Sequence, residues 1–336
     1  MTSEPLRLFC VVPAYKAAST VCDVVASALQ FADTVVVVDD ACPQRSGEAV
    51  RAAFAGNPNV HVIQRARNGG VGAAVKTGIA FAVERDADAV VKIDADGQMD
   101  CAFIGVIRRL FEADPALVCV KGNRFFDAGV LRSMPKSRLF GNAVLSLWAK
   151  FASGYWNVID PTNGYLAFNL HLLRLLPWDG FADSYFFELS VLCELGLRKL
   201  PILELEMPTI YTPVPSSLAI RRVVLEFPPK LLRMTLRRVL LQYYVFDINL
   251  ATLYLTLGVP LLLFGLIFGG YQWTLSQITG VARETGTIIL AAVTFLVGFQ
   301  LILNALMYDV GFAAKTTHEL VVDTHRRLRG GLVQKR

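Results

Sequence analysis

Short apolar runs alternate with longer segments of helical spacing along the N-terminal part of the chain. The runs are rich in valine, as buried parallel strands are, and they cover residues 6–12, 34–39, 60–64, 87–94 and 117–122. The segments between them with the length and periodicity of helices are 20–31, 47–54, 71–84 and 102–112. This alternation predicts an α/β domain with a mostly parallel sheet flanked by helices.

Two segments in the last third of the chain are apolar over a much greater length. Residues 250–268 and 287–307 contain no charged side chain. A helix needs about 20 apolar residues to cross a bilayer, so each segment predicts a transmembrane helix. The alternative, a pair of helices buried in a soluble core, would need a large helical core that the pattern does not provide. These segments explain a hydrophobic fraction of 54%, above the roughly 45–50% of soluble domains.

Basic residues flank the two predicted spans. Lys and Arg cluster in residues 219–246 and again after residue 307, whereas the connecting loop contains Arg283 beside Glu284. The positive-inside rule therefore predicts two spans with both termini in the cytoplasm, and we expect a bacterial inner membrane. The amphipathic stretch 217–246 is expected to lie on the bilayer surface. The net charge of +5 comes from these flanks and indicates anionic lipid, rather than nucleic acid, as a partner.

Polar residues follow three of the predicted strands, at the sheet edge where such folds bind ligands. In chain order they are Pro13 and Tyr15, then Asp39 and Asp40, then Asp94, Asp96 and Gln98. Alternate residues of an extended segment point the same way, so Asp94 and Asp96 can meet one divalent cation. Mg²⁺ is usually held by one or two carboxylates together with substrate phosphates. The sequence therefore predicts a metal site after the fourth strand.

Several motifs occur in a fixed order along the chain. They read VVPAY, VVVVDDACP, RNGGVGAAVKTG, KIDADGQ, KGNRF and YFFE. In this order they resemble the family 2 inverting glycosyltransferases, which have a GT-A fold. With the paired C-terminal spans, the arrangement is similar to the polyprenyl-phosphate glycosyltransferases, relatives of dolichyl-phosphate mannose synthase. The resemblance implies a GT-A domain at 1–216, amphipathic juxtamembrane helices at 217–246, two transmembrane helices at 247–309 and a basic cytoplasmic tail at 310–336.

The resemblance also implies a role for individual residues. Those matching the nucleotide-sugar site are Pro13, Tyr15, Asp39, Asp40, Asn68, Gly69, Gly72 and Asp94. Asp94, Asp96 and Gln98 match the site for Mg²⁺ or Mn²⁺. The residues expected to take part in catalysis are Asp96, Arg124 near the phosphates and Glu188 near the acceptor. A cation and arginines suit this reaction because the diphosphate leaving group gains negative charge.

Other residues leave two interpretations open. Gly164 suits a close approach of the backbone to donor or acceptor. Asn163 and Asp160 are equally suited to contact the sugar or to form a structural turn. Lys76 could also stabilise the diphosphate with its charge, but its helical spacing favours a solvated surface residue.

The segment 210–218 departs from the pattern of the resembled enzymes, which often carry a phosphate-binding arginine there. Ser216 matches, and Arg221 or Arg222 could supply the missing charge to a lipid phosphate. The alternative is that both arginines are juxtamembrane anchors.

The sequence as a whole predicts an enzyme that transfers a sugar from a UDP- or GDP-sugar to a polyprenyl phosphate. One alternative is transfer to a hydroxyl of a lipid-linked saccharide or glycolipid, in which case Glu188 would be an essential base. Another is a membrane scaffold that binds nucleotide without turnover. Gln300 and Asn304, four residues apart on one helical face, suggest contact between helices within the chain or in a homo-oligomer.

Overall fold

The computed structural model describes residues 5–125, 136–173, 176, 178–207 and 220–333. Within these ranges the side chains of residues 137, 138, 179, 220–224 and 312–333 are not described. Residues up to Met234, together with those from Thr316 onward, belong to one compact unit, and Thr235–Lys315 builds a second.

The first unit is built on a seven-stranded sheet of order β3-β2-β1-β4-β6-β5-β7. Its strands are β1 (Leu8–Ala14), β2 (Thr34–Asp39), β3 (Val60–Gln64), β4 (Ala89–Lys92), β5 (Cys119–Asn123), β6 (Leu166–Asn169) and β7 (Ile202–Glu206). Strand β6 is antiparallel to both neighbours, β4 and β5, and the remaining pairs are parallel. The predicted mostly parallel sheet is confirmed.

Helices cover both faces of this sheet. They are α1 (Val21–Ala28), α2 (Ser46–Ala53), α3 (Val71–Glu84), α4 (Ala102–Ala113), α5 (Lys136–Ser153), α6 (Leu170–Leu173) and α7 (Phe187–Leu197). One apolar cluster joins α1 and α4 to the sheet, and another joins α3 and α7 to the opposite face. Every residue of α7 is buried, including Glu188 in its first turn. A short 3₁₀ helix, Trp178–Gly180, precedes α7.

The helix α8 (Ile220–Leu240) leads from the first unit into the second. Two helices of the second unit are long and apolar enough to cross a membrane: α9 (Leu250–Thr279), and α10 (Thr285–Val333) over Thr285–Gly311. Glycines allow α9 and α10 to pack closely, since a Cβ on Gly265 would lie 2.5 Å from the Phe295 nitrogen. A Cβ on Gly298 would overlap the Leu262 backbone. The two predicted apolar helices are therefore present.

A buried charge pair joins α8 to α10 within the second unit. Arg238 donates from Nη1 to Oδ1 of Asp309 at 2.8 Å, and from Nη2 to Oδ2 at 2.9 Å. The Tyr243 hydroxyl, on a π-helical turn after α8, donates to the same carboxylate. Arg238 also donates to Gln242 at 3.1 Å. A buried pair of this kind is expensive to break, because one ion is then left without its counter-charge.

We expect Asp309→Ala to destabilise the protein by about 3–5 kcal/mol, because it removes the carboxylate that pairs with the buried Arg238 guanidinium. Tyr243→Phe is the matched control, since it removes one hydrogen bond from the same carboxylate and should cost about 1–3 kcal/mol. Unfolding of the detergent-solubilised protein measures both. Equal effects of the two variants would contradict a dominant role for the ion pair.

Candidate active site

The carboxyl ends of β1, β2 and β4 lie along one edge of the sheet and bring the predicted site residues together. Pro13 and Ala14 end β1, and Tyr15 follows with 47% of its surface exposed. Asp39 ends β2, and Asp94 follows β4. The exposed Tyr15 ring is therefore open to a ligand at this edge.

Asp39 holds the turn that leads into α2. Its carboxylate accepts hydrogen bonds from the backbone of Cys42 at 2.7 Å and of Gly47 at 2.6 Å. It also accepts one from Nε2 of Gln64 at 3.0 Å. Asp39 is fully buried, and with three partners its carboxylate shapes the site from inside the fold.

Asp40 holds the glycine-rich turn before α3. Its carboxylate accepts from the backbone of Gly69 at 3.0 Å and of Gly70 at 2.8 Å. Arg65 also forms an ion pair with it. A Cβ on Gly69 would lie 2.5 Å from Nη1 of Arg65, so a larger side chain there would displace the guanidinium from Asp40. Asp40 thus links the ends of β2 and β3 to the start of α3, the helix whose turn also includes Asn68.

The segment before α7 packs against this turn and explains its glycines. Gly70 has a φ of 95°, and a Cβ there would lie 2.6 Å from the Asp183 carbonyl oxygen. A Cβ on Gly72 would overlap the Ala182 carbonyl. Lys76, on α3, donates to the Phe181 carbonyl at 3.0 Å and pairs with Asp183 at 2.7 Å. The expectation that Lys76 is a solvated surface residue is therefore wrong: it fastens α3 to the segment before α7.

Asp94, Asp96 and Gln98 lie together after β4, as the sequence predicts. The Gln98 backbone donates to Oδ1 of Asp96 at 3.0 Å. Burial, and then the charge of Asp94, raise the pKa of Asp96. A cation would relieve both effects. The described residues contain no group of three or more His, Cys, Asp or Glu that could hold a metal ion. Two carboxylates and an amide nevertheless fit Mg²⁺ or Mn²⁺, which take further ligands from substrate phosphates and water.

Lys92 is a site residue that the sequence reasoning missed. It is the last residue of β4, only 1% exposed, and its ammonium lies 2.6 Å from Oδ1 of Asp94 and 3.1 Å from Oε1 of Glu188. Burial alone would lower the pKa of Lys92, but the two carboxylates outweigh it and raise that pKa above its ordinary value. The signal in the sequence was a charged residue inside the apolar run that precedes the acidic pair.

Gly164 closes over this charge cluster. A Cβ at Gly164 would lie 2.6 Å from Nζ of Lys92 and 2.5 Å from Oδ2 of Asp94. The absence of a side chain therefore lets the backbone cover the ion pair. Asn163 turns the chain just before it, since its side-chain oxygen accepts from the Tyr165 backbone at 2.9 Å. Asn163 therefore forms a structural turn at this position.

Arg124 follows β5 and is oriented by an ion pair. It donates from Nε to Asp160 at 2.8 Å and from Nη2 at 3.0 Å, and its side chain is 35% exposed. Burial would raise the pKa of Asp160, but the Arg124 charge and hydrogen bonds outweigh burial and lower it. The Asp160 carboxylate therefore stays ionised and fixes the guanidinium in one direction.

Lys121 is a second buried lysine that the sequence did not predict. It lies on β5, has no exposed surface, and donates to the Asn163 carbonyl at 2.6 Å. Burial lowers the pKa of Lys121 to about 8, although Asp160 and Glu188 act in the opposite direction.

The side chains of the three residues predicted to bind a lipid phosphate lie outside what the structure describes. Ser216 is outside the described residues. Arg221 and Arg222 belong to the first turn of α8, and their side chains are not described. Their role stays a prediction.

Comparison with known proteins now adds to this geometry. Residues 9–174 match the model of the family described as Glycosyl transferase family 2. They form a domain of that family. The match runs from β1 to α6 and includes the edge formed by Tyr15, Asp40 and Asp94, so the predicted resemblance is confirmed.

Two curated relatives of the family 2 domain act on polyprenyl carriers according to their names. The chain is 32% identical over 158 residues to an undecaprenyl-phosphate mannosyltransferase of Micrococcus luteus, covering 47% of this chain and 63% of the relative. It is 28% identical over 159 residues to a polyprenol monophosphomannose synthase of Mycolicibacterium smegmatis, covering 47% and 59%. The matched part of this chain thus spans about 60% of the length of these relatives.

A solved structure shares the fold of the family 2 domain. Glucosyl-3-phosphoglycerate synthase from Mycobacterium tuberculosis, in complex with Mn²⁺, UDP and glucosyl-3-phosphoglycerate, superposes with a TM-score of 0.50. It is 18% identical, and the match covers 72% of this chain and 82% of that chain. The predicted GT-A-type fold is therefore confirmed.

Lys121 gives a testable pH dependence of stability. With a folded-state pKa of about 8 against an ordinary 10.5, the folded protein binds fewer protons than the unfolded chain between these values. Wild-type stability should therefore rise with pH across this window. We expect Lys121→Met to remove that rise and to increase stability at pH 7 by about 3 kcal/mol, because no charge is then buried.

Denaturant unfolding of the two proteins between pH 7 and pH 10.5 measures this effect. Lys136→Met, at an exposed position at the start of α5, is the matched control and should retain the wild-type slope. A Lys121→Met protein with the same slope as the wild type would show that Lys121 is not the group responsible.

Proposed function

We propose that this chain is a metal-dependent, inverting glycosyltransferase that moves a sugar from a UDP- or GDP-sugar to a polyprenyl phosphate at the cytoplasmic face of a membrane. Two curated relatives are named for transfer to such carriers. The two apolar helices α9 and α10 would hold the family 2 domain beside a lipid acceptor. The observation that carries the choice of acceptor is the engagement of Glu188 by Lys92.

On the donor side, we propose that the nucleotide lies against the exposed ring of Tyr15, beside Pro13. Asp39 and Asp40 would act there through the turns that they hold, because their carboxylates already have several partners inside the protein. Asn68, Gly69 and Gly72 would bring the start of α3 close to the donor. A helix N-terminus attracts anions through its free backbone N–H groups.

Asp94, Asp96 and Gln98 would hold Mg²⁺ or Mn²⁺. When bound, the cation would neutralise the charge that develops on the departing diphosphate. Arg124 would supply a second positive charge from the other side of the site, because Asp160 fixes its guanidinium while 35% of its side chain remains exposed. A preoriented cation stabilises a transition state without reorganising as the reaction proceeds.

On the acceptor side, the contacts of Glu188 favour a phosphate. The residue is 6% exposed, lies in the first turn of α7, and its Oε1 faces the Lys92 ammonium. A general base needs an oxygen within hydrogen-bonding reach of the proton that it removes. A hydroxyl acceptor requires such a base, whereas a phosphate monoester is already an anion at neutral pH. We therefore propose that Glu188 orients groups in the site and does not remove a proton.

The same proposal includes the position of the chain in the membrane. We infer that both termini lie in the cytoplasm of a bacterial cell, from the basic residues that flank α9 and α10. The side chains of Gln300 and Asn304 on α10 bond to each other at 3.1 Å. Each amide retains further hydrogen-bonding capacity, which a second copy of the chain would satisfy in lipid.

The product of the reaction tests this proposal. Purified protein with a polyprenyl phosphate, labelled UDP- or GDP-sugars and Mn²⁺ should form a labelled lipid that mild acid cleaves. Asp96→Asn should abolish its formation, because it removes one of the two carboxylates proposed to hold the cation. Chelation of the metal should do the same. A labelled lipid that resists mild acid would indicate a hydroxyl acceptor, and nucleotide binding without product from any donor would indicate a scaffold.

Glu188→Gln separates an orienting role from that of a base. The glutamine oxygen can still accept a hydrogen bond from Lys92, so we expect kcat to fall by less than about tenfold, whereas loss of a general base typically costs about 10²–10⁴-fold. Steady-state rates with a saturating polyprenyl phosphate measure the difference. A loss in the larger range, at unchanged thermal stability, would contradict the proposed role of Glu188.

A further inference from the structure

Lys92 connects the proposed metal site to the start of α7. Its ammonium lies 2.6 Å from Asp94 and 3.1 Å from Glu188, on a side chain that is only 1% exposed. Lys92 ends β4, Asp94 follows two residues later and Asp96 lies in the turn beyond, so one short segment carries all three charged groups. A water-excluded ammonium with two carboxylate partners restricts the Asp94 carboxylate to few orientations.

The charges around Lys92 match the needs of one divalent cation. Asp94, Asp96 and Glu188 supply three carboxylates, and Lys92 supplies one ammonium. The cluster therefore carries two net negative charges when all four groups are ionised. Without Lys92 the site would combine excess negative charge with an Asp94 side chain free to rotate.

The backbone at Gly164 covers the ion pair of Lys92 and Asp94. A Cβ there would lie 2.6 Å from the Lys92 ammonium, so a larger residue would displace the ammonium from its carboxylate partners. The covering backbone keeps water away from the ammonium, which strengthens its hold on both carboxylates.

We propose that Lys92 is a positioning residue that fixes the Asp94 carboxylate for the metal-bound donor and couples it to Glu188. This inference rests on the metal-dependent function proposed above and extends it to a residue that touches neither donor nor acceptor. Groups that orient metal ligands typically contribute about 10–100-fold to metal affinity or activity.

The alternative role for Lys92 is simply to neutralise the buried Glu188. The double variant Lys92→Met/Glu188→Met separates the two roles, because it removes one charge of each sign and leaves neither Lys92 nor Glu188 buried without the other. The net charge of the site is unchanged, so a change in metal affinity reports the orientation of Asp94. The matched control is Glu194→Met/Arg198→Met. It removes a different ion pair, between Glu194 on α7 and Arg198, the residue that follows this helix.

The experiment is a titration of the full-length protein in detergent with Mn²⁺, in the presence of UDP and separately of GDP, followed by electron paramagnetic resonance. We expect the double variant to keep its thermal midpoint but to bind Mn²⁺ about tenfold more weakly than the wild type. The control variant should bind Mn²⁺ as the wild type does. A double variant that keeps both its thermal midpoint and its Mn²⁺ affinity would overturn the proposal.

A second variant covers the case in which the double variant does not fold. Lys92→Arg keeps the positive charge beside Glu188 but cannot place a single ammonium between the two carboxylates. Weaker Mn²⁺ binding by this variant would support the proposal, and wild-type binding would overturn it. If the wild type itself does not bind Mn²⁺ with either nucleotide, both the metal-dependent function and the role of Lys92 are overturned. If only the variants bind Mn²⁺ as the wild type does, the role of Lys92 alone is overturned.

Discussion

The interaction on which the site depends is the buried ion pair network of Lys92 with Asp94 and Glu188. An ammonium removed from water costs several kcal/mol unless carboxylates surround it, so these three groups constrain one another. They also constrain the backbone. Glu188 reaches Lys92 at the end of β4 from the first turn of α7, and Gly164 lets the backbone lie close over the pair. The end of β4, the start of α7 and the turn at Gly164 are therefore positioned together.

The same principle applies around the rest of the sheet edge. Asp39 and Asp40 bind the backbone of the turns that follow, and Asp160 binds Arg124. These carboxylates build a rigid frame, while Tyr15 and part of Arg124 remain exposed within it. Folding already orders the groups of such a site, so the entropy cost of ordering them when a ligand binds is smaller. The proposed chemistry fits such a frame, since glycosyl transfer to a phosphate requires charge stabilisation and alignment more than proton transfer.

Much of the fold could be predicted from the sequence because its signals are local. The valine-rich runs gave β2 and β3 with their observed bounds, and the periodicity after the glycine-rich turn gave α3. The apolar segments gave α9 and the first part of α10. Strand β6 was not predicted, because Leu166–Asn169 is four residues long and pairs antiparallel with two strands distant in sequence. Nothing local in so short a segment specifies that pairing.

The sequence predicted which acidic residues belong to the site, but not the hydrogen bonds and ion pairs that hold the site together. The acidic residues after β2 and β4 were expected from their place at strand ends. The partners of Lys76, Lys92 and Lys121 were not, because a lysine in a sequence is normally assigned to solvent and each partner is supplied by a distant segment. Burial of a lysine is decided by long-range packing, and only the folded chain shows which carboxylate or carbonyl receives its ammonium.

The central claim is that the acceptor attacks as an anion and that no side chain of the enzyme removes a proton from it. The most direct test is the rate of sugar transfer to a polyprenyl phosphate in a single turnover, compared between H₂O and D₂O at matched points of the pH profile. The account predicts equal rates, because no proton moves in the step that forms the glycosyl phosphate. A slower rate in D₂O that becomes equal in Glu188→Gln would show that Glu188 takes a proton in that step, and would contradict the account.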